Sequence, residues 1–161
     1  MIKDKIVNLT KLKDKVCSLK RSDKKIGFTN GCFDILHPGH IIYLEKAKNM
    51  CDALIVAVNS DGSIKKIKGK NRPIMKEEAR LLIVAALESV DYVIKFSQKT
   101  PLSLIKSIKP DFLIKGGDWK EEDIVGSDYI KSIGGKVKII PYIKGYSTTS
   151  LIKSILRRGR Y

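Results

Sequence analysis

The chain has 161 residues, 43% of them hydrophobic, and its 32 Lys+Arg against 17 Asp+Glu give a net charge of +15. That is the length of one domain, and the apolar share belongs to a globular rather than a disordered chain. No apolar run approaches the about 18–20 residues of a bilayer span, "MIKDKIVNLTKLKDK" lacks the apolar core of a signal peptide, and Cys17, Cys32 and Cys51, an odd set without CxxC spacing, argue for reduced thiols in a cytoplasmic protein rather than disulfides or zinc.

The elements follow in chain order. "LTKLKDKVCSLKR" carries Leu9, Leu12, Val16 and Leu19 at helical spacing, with Thr10 as the expected cap. "KIGFTN" reads as a strand and "PGHIIYLEKAKNM" as a helix. "ALIVAVNS" is apolar on both faces, the mark of a buried parallel strand. "KEEARLLIVAALES" is a helix with Ala79, Leu82, Ile83 and Ala86 on one face. "DYVIKF" is a strand. "TPLSLIKSIK" is a short helix with Pro101 in its first turn. "DFLIKG" is a strand, "DIVGSDYIKSIGG" is mostly helix closed by Gly134, "KVKIIPY" is the fifth strand and "STTSLIKSILRR" the last helix. The alternation predicts an α/β fold, a Rossmann-like five-stranded parallel sheet with helices on both faces. We expect a single domain over 1–161, with a leading helix in 1–22, a core in 23–157 and a basic tail in 158–161. Ligands of such sheets bind beyond the carboxyl ends of the strands. The loops of interest are therefore Thr29–His40, Asn59–Met75, Gly116–Gly126 and Tyr142–Thr149.

In "TNGCFDILHPGH" the chain's only two histidines flank a Pro-Gly. Pro38 suits the first position of a helix. Gly39 and His40 then fall in the first turn, where N–H groups and the dipole make an anion site. Gly31 would let backbone come close to a ligand. Imidazoles donate a hydrogen bond when neutral and add charge when protonated, which suits a phosphate. The plainer alternatives are His37 as a helix cap and His40 as a satisfied polar residue. Metal binding by His37, His40 and Asp34 lacks the HExxH spacing that sets two ligands on one helical face, and neither GxGxxG nor GxxxxGK[ST] occurs.

The stretch resembles the (H/T)xGH signature of the nucleotidyltransferase superfamily, which includes cytidylyltransferases, phosphopantetheine adenylyltransferase and class I aminoacyl-tRNA synthetases. "AVNSD", "KGKNRPI", "EEAR", "KGGDW" and "GYSTT" follow in order. Over residues 8 to 157 the set is similar to the adenylyltransferase domain of the bifunctional heptose kinase/adenylyltransferases. The resemblance implies attack of a sugar 1-phosphate oxygen on the α-phosphorus of ATP, with pyrophosphate leaving and magnesium accompanying the nucleotide. It assigns catalysis to His37, His40, Lys70 and Arg80. His40 would stabilise the transition state and the departing pyrophosphate. Thr29, Asn30, Gly31, Cys32, Phe33, Asp34 and Gly39 would line the nucleotide, with Asp118 and Ser147, Thr148 and Thr149. Asn59, Asp61, Lys68, Arg72, Lys115, Gly116, Gly117 and Trp119 would face the substrate. No metal ligands are assigned.

Alternatives stay open at several of these positions. Lys68 and Lys70, on the loop after the second strand, reach either phosphate or are a solvated cluster. Arg72 and Arg80, two of only six arginines, suit forked phosphate binding, or Arg80 pairs with Glu77 on a helix surface. Ser147 or Thr148 is a cap, an anion site, or both. Asp118 accepts from adenine or ribose or holds magnesium through water, and Trp119 covers a base or sugar or packs in the core. Where glycerol-phosphate cytidylyltransferases carry "RTEGISTT" this chain has "YIKGYSTT", with Tyr142 and Lys144 at the arginine and acidic positions. That departure argues against their subfamily. Other phosphorylated acceptors, glycerol 3-phosphate with CTP or FMN with ATP, are the runners-up. The resemblance also implies a homodimer; with no kinase domain in this sequence, a separate sugar kinase upstream is expected, and no membrane partner. The +15 charge, spread along the chain with short clusters at Lys65–Lys70 and Arg157–Arg160, fits a solvated surface or a polyanion. A nucleic-acid module has "ILRRGR" as its best support but no RNP-like or recognition-helix signal.

Overall fold

The structure, a computed structural model, describes residues 1–143 and 145–158. After a 3-10 turn, Ile2–Lys5, the order is α1 (Leu9–Arg21), β1 (Ile26–Gly31), α2 (Pro38–Lys48), β2 (Ala53–Asn59), α3 (Asp61–Lys68), α4 (Glu77–Ala85), β3 (Tyr92–Phe96), α5 (Leu102–Ile108), β4 (Phe112–Gly116), α6 (Ser127–Ser132), β5 (Lys136–Ile140) and α7 (Thr148–Arg158). The five strands are parallel, in the order β3-β2-β1-β4-β5. The chain lays β1, β2 and β3 outward in one direction, then returns through α5 to start again at β4 beside β1. The order reverses between β1 and β4, and a crevice opens beyond their carboxyl ends.

Both faces of the sheet are covered, as expected. On one, α1, α5 and α6 bring Leu12, Val16, Ile105, Ile108 and Ile130 against Phe28, Ile55, Ala57 and Leu113. On the other, α2 and α4 bring Leu44, Ala47, Leu81, Val84 and Ala85 against Leu54, Val56, Val58 and Ile114. All seven residues of β2 are buried, which is why that strand has no polar alternation. No helix among the described residues is long and apolar enough to cross a membrane.

Several expectations are corrected. Asn8, not Thr10, caps α1, its side chain accepting from the Lys11 N–H at 2.9 Å. Pro101 stands at the N-cap of α5, just outside the helix. The "DIVGSDYIKSIGG" helix shrinks to six residues, preceded by a 3-10 turn at Glu121–Asp123. The segment after β2 is not one long loop. Ser60 caps α3 by accepting from Ser63 N–H, so Lys68 ends a helix and only the turn beyond it is irregular. In α4 the expected face is the outer one. Leu82 and Ile83 are exposed, while Arg80, Leu81, Val84 and Ala85 are buried. The apolar spacing permitted either stripe, and the buried arginine disguised the true one. Lys144 and residues 159–161 of the basic tail lie outside the described residues.

Candidate active site

The first βα turn builds the centre. β1 ends at Gly31, and Phe33 then takes a left-handed backbone (φ 46°), so the chain reverses before α2. The reversal leaves no free space at Gly31. A Cβ there would stand 3.0 Å from the Phe33 ring, so a side chain at Gly31 would press on Phe33. Pro38 occupies the first turn of α2 as expected, and His37 is its N-cap, without any capping hydrogen bond from the side chain. His40 N–H donates back to His37 O at 2.9 Å. Gly39 therefore offers the free N–H of this turn among the described residues.

The two imidazoles stack, with ring centroids 3.8 Å apart and planes 26° apart. His37 is nine-tenths buried. Burial, then the charges of His37 and Lys68, pushes His40 down to about 4, and burial also lowers His37. Lys68, at the end of α3, thus belongs to the neighbourhood of His40. Among the described residues four buried side-chain polar atoms lack a hydrogen-bond partner, and three of them are His37 Nδ1, His40 Nδ1 and Arg72 Nη2. Buried polar groups are normally paired. Three such atoms around one turn are free to pair with a polar ligand.

Two arginines frame this turn from behind. Arg72 Nε donates to Asp34 Oδ2 at 2.7 Å, and the N–H groups of Ile74 and Met75 close on the same carboxylate at 2.9–3.0 Å. Burial opposes the charge of Asp34, but those N–H groups and Arg72 hold its carboxyl below the ordinary range. Arg80 is 1% exposed. It donates to Met75 O at 3.0 Å, Cys32 O at 2.6 Å and Asp61 Oδ1 at 2.8 Å. Glu77 is not its partner, because Glu77 accepts from Lys95 Nζ at 2.7 Å and Asp61 N–H at 2.8 Å. The arginine fork is filled by protein, and it ties α4 to the first turn.

At the crevice between β1 and β4, Lys115 Nζ donates to Asn30 Oδ1 at 2.9 Å, and burial lowers the lysine's pKa. Thr29 is fully buried, its hydroxyl 2.6 Å from Tyr43 Oη. Gly116 makes room for the Tyr43 ring, 3.0 Å from where its Cβ would be. Gly117 (φ 128°) needs to be glycine, and it sits beneath Tyr142 and Trp119. Trp119 is half exposed and donates to Gly116 O at 3.2 Å, so it is no core residue. Asn59 is buried and bonded to Ser63. Asp118 and Lys70 are exposed. Ser147 caps α7, its Oγ accepting from Ser150 N–H at 3.0 Å, which leaves Thr148 and Thr149 in the first turn with hydroxyls not needed for the cap. Tyr146 brings this last loop to the first, its ring 6.4 Å from that of His37 and 15° from parallel.

The structure thus gathers His37, Gly39, His40, Lys68 and Arg72 at one place, and Asn30 with Lys115 at the strand ends. It turns Thr29, Asn59, Asp61 and Arg80 inward as supports. Sequence reasoning missed Tyr43, Glu77 and Tyr146 as parts of this frame. Tyr146 and Glu77 had a signal, in their places inside "GYSTT" and "EEAR"; Tyr43 had none.

Residues 28–158 match the family model described as cytidylyltransferase-like. This chain belongs to the cytidylyltransferase-like family. Bifunctional protein HldE of Geobacter metallireducens is 48% identical over 153 residues, 95% of this chain and 31% of that protein. The protein of the same name from Haemophilus influenzae is 51% identical over 150 residues, 93% of this chain and 32% of that one. The chain thus spans about a third of the length of these relatives. Among solved structures, the lipopolysaccharide core biosynthesis protein of Thermoplasma volcanium is 33% identical with a TM-score of 0.62, covering 77% of this chain and 99% of that one. A pantoate-beta-alanine ligase of Francisella tularensis has the same TM-score of 0.62 at 20% identity, with 94% of this chain and 78% of that one covered, and shares the fold. The match to the cytidylyltransferase-like family runs from within β1 to the end of α7, so the stacked histidines, the buried arginines and the last loop all lie within it.

Proposed function

We propose that the chain is an adenylyltransferase that moves AMP from ATP to a sugar 1-phosphate, a heptose 1-phosphate, releasing pyrophosphate and an ADP-sugar. The observation that carries this reading is the trio of unpartnered nitrogens on His37, His40 and Arg72 around the free N–H of Gly39. A polyphosphate supplies the acceptors that such a group lacks. The ordered motifs, which resemble those of the heptose-1-phosphate adenylyltransferases, and the likeness to the HldE proteins support a heptose as the sugar.

An oxygen of the sugar phosphate attacks the α-phosphorus, a new P–O bond forms, and the bond to the β-phosphate's bridging oxygen breaks. Such transfer is mostly alignment and charge stabilisation. Gly39 N–H and the two imidazoles hold the triphosphate. His40 supports the charge that gathers on the leaving pyrophosphate. The spare Arg72 Nη2 and the cations Lys68 and Lys70 add to that field. Lys115, fixed by Asn30, faces the incoming anion at the strand ends, and Thr148 and Thr149 add donors from α7. Asp118 and Trp119 border the nucleoside or the sugar. Arg80, Asp61 and Asp34 keep the turn in shape and do not touch substrate.

The residues do not fit a resident magnesium site. No three His, Cys, Asp or Glu converge among the described residues, and Asp34, the acid nearest the histidines in sequence, already accepts from Arg72 and two backbone N–H groups. Magnesium is proposed to arrive with the nucleotide, as part of the substrate. A cytoplasmic setting, a homodimer and a kinase activity upstream that makes the sugar 1-phosphate complete the proposal.

The test is to incubate the protein with each nucleoside triphosphate, magnesium and a panel of sugar 1-phosphates, and follow pyrophosphate. Turnover with ATP and a heptose 1-phosphate is expected. CTP turnover at least equal to that with ATP sinks the adenylyl reading and favours cytidylyl transfer to another acceptor.

A further inference from the structure

Four rings form a column across the site. Phe33 lies against His40 at 5.5 Å between centroids, His40 stacks on His37 at 3.8 Å, and His37 faces Tyr146 at 6.4 Å. The outer rings come from opposite ends of the chain, Phe33 from the first βα turn and Tyr146 from the loop before α7. We propose that Tyr146 is a positioning residue, its ring covering the outer face of His37 so that this imidazole stays stacked and turned toward the ligand.

Two further observations carry this. His37 makes no side-chain hydrogen bond that would fix its ring, since it does not cap α2 and its Nδ1 has no partner. The rings that pack against it are those of His40 and Tyr146. Gly39 then explains how the tyrosine comes so near. A Cβ at Gly39 would stand 3.0 Å from His37 Nδ1 and 3.1 Å from Tyr146 Cβ, so a side chain there would push apart the two groups that meet above it. Parallel rings at this separation lie within the range of favourable aromatic contact. The inference rests on reading the histidines as the phosphate-binding pair, and its test does not need turnover.

His37 and His40 are the only histidines in the chain, so imidazole NMR resonances report on this column and nothing else. The ligand-free protein is titrated as wild type, Tyr146→Phe, Tyr146→Ala and Gly39→Ala. The groups that bear on the pair are each other and Lys68, and none of these is altered. Tyr146→Phe keeps the ring and is expected to titrate as wild type. Tyr146→Ala uncovers His37, so its pKa is expected to rise toward the ordinary histidine value while His40, still between Phe33 and His37, moves less. Gly39→Ala disturbs the same contact from below and should move His37 likewise. With substrates, Tyr146→Ala is expected to lower kcat by about ten- to a hundredfold, as misplacement of a reacting group does, with Tyr146→Phe near wild type. Unchanged histidine titration in folded Tyr146→Ala overturns the proposal. If the resonances move as expected but no variant or wild type releases pyrophosphate, the positioning role stands and the adenylyl-transfer reading falls.

Discussion

Arg72 and Asp34 meet at 2.7 Å with side chains 14% and 1% exposed, joining the turn before α4 to the turn before α2. Removing one member of a buried pair strands the other, at a typical cost of about 3–5 kcal/mol. Asp34→Ala should cost stability of that order in urea unfolding. Loss of nucleotide binding with unchanged stability would mean that Asp34 serves the ligand directly.

Arg80 makes the sharper case, because its three acceptors come from three segments. Lysine offers one ammonium and cannot reproduce the fork. Arg80→Lys is therefore expected to destabilise the ligand-free protein by about 2–4 kcal/mol, somewhat less than breaking a buried pair outright. A variant with normal unfolding but raised KM for ATP would return Arg80 to the phosphate.

His40→Ala removes a group proposed to act mainly in the transition state. Turnover should fall by about 10²–10³ with little change in ATP affinity. Weaker ATP binding at unchanged turnover, measured by calorimetry and pyrophosphate release, would assign His40 to ground-state binding instead.

The depressed histidines predict the pH response of the free protein. Unfolded histidine titrates near about 6.5, whereas burial first, then the charges of His37 and Lys68, brings His40 down to about 4, and His37 is lowered by burial. Between those values the unfolded chain binds more protons, so stability rises with pH. The contribution is complete above about pH 6.5 and is lost as pH falls toward 4. The urea midpoint should be higher at pH 7 than at pH 5, and a His37→Gln/His40→Gln variant should flatten that difference. A flat wild-type profile rejects the shifted values.

Thr148 tests the second helix terminus. Ser147 already supplies the cap, so Thr148→Val should leave thermal stability nearly unchanged. It should weaken ATP binding by about 0.5–1.5 kcal/mol, the net value of one ordinary hydrogen bond. Equal destabilisation with and without ATP would make the hydroxyl purely structural.

The sheet and the helix at Pro38 were legible in the residues because period and punctuation are local. β-branched runs bounded by Gly, Asn and Asp read as strands, and Pro-Gly marked the start of α2. α3 was not legible, since "DGSIKKIK" has a glycine and only two apolar residues, and its Ser60 cap looks like any loop serine. The inner face of α4 was hidden for a different reason. A buried arginine carries no hydrophobic signal, and its partners come from Cys32, Asp61 and Met75, which only the tertiary fold assembles. Nor could spacing show that a Cβ at Gly31 or Gly116 would press on the ring of Phe33 or Tyr43.

The start of the chain has its own consequence for how the protein keeps to itself. Ile6 bridges Val93 in parallel and Val7 N–H donates to Val93 O at 2.9 Å, so the free margin of β3 is partly roofed. At the opposite margin β5 bears Lys136 and Lys138 and ends against Pro141, features that discourage a foreign strand from docking. One margin is shielded by backbone and the other by charge. Removing the first seven residues would bare the apolar run of β3 to strand addition, and aggregation would begin at that side of the sheet.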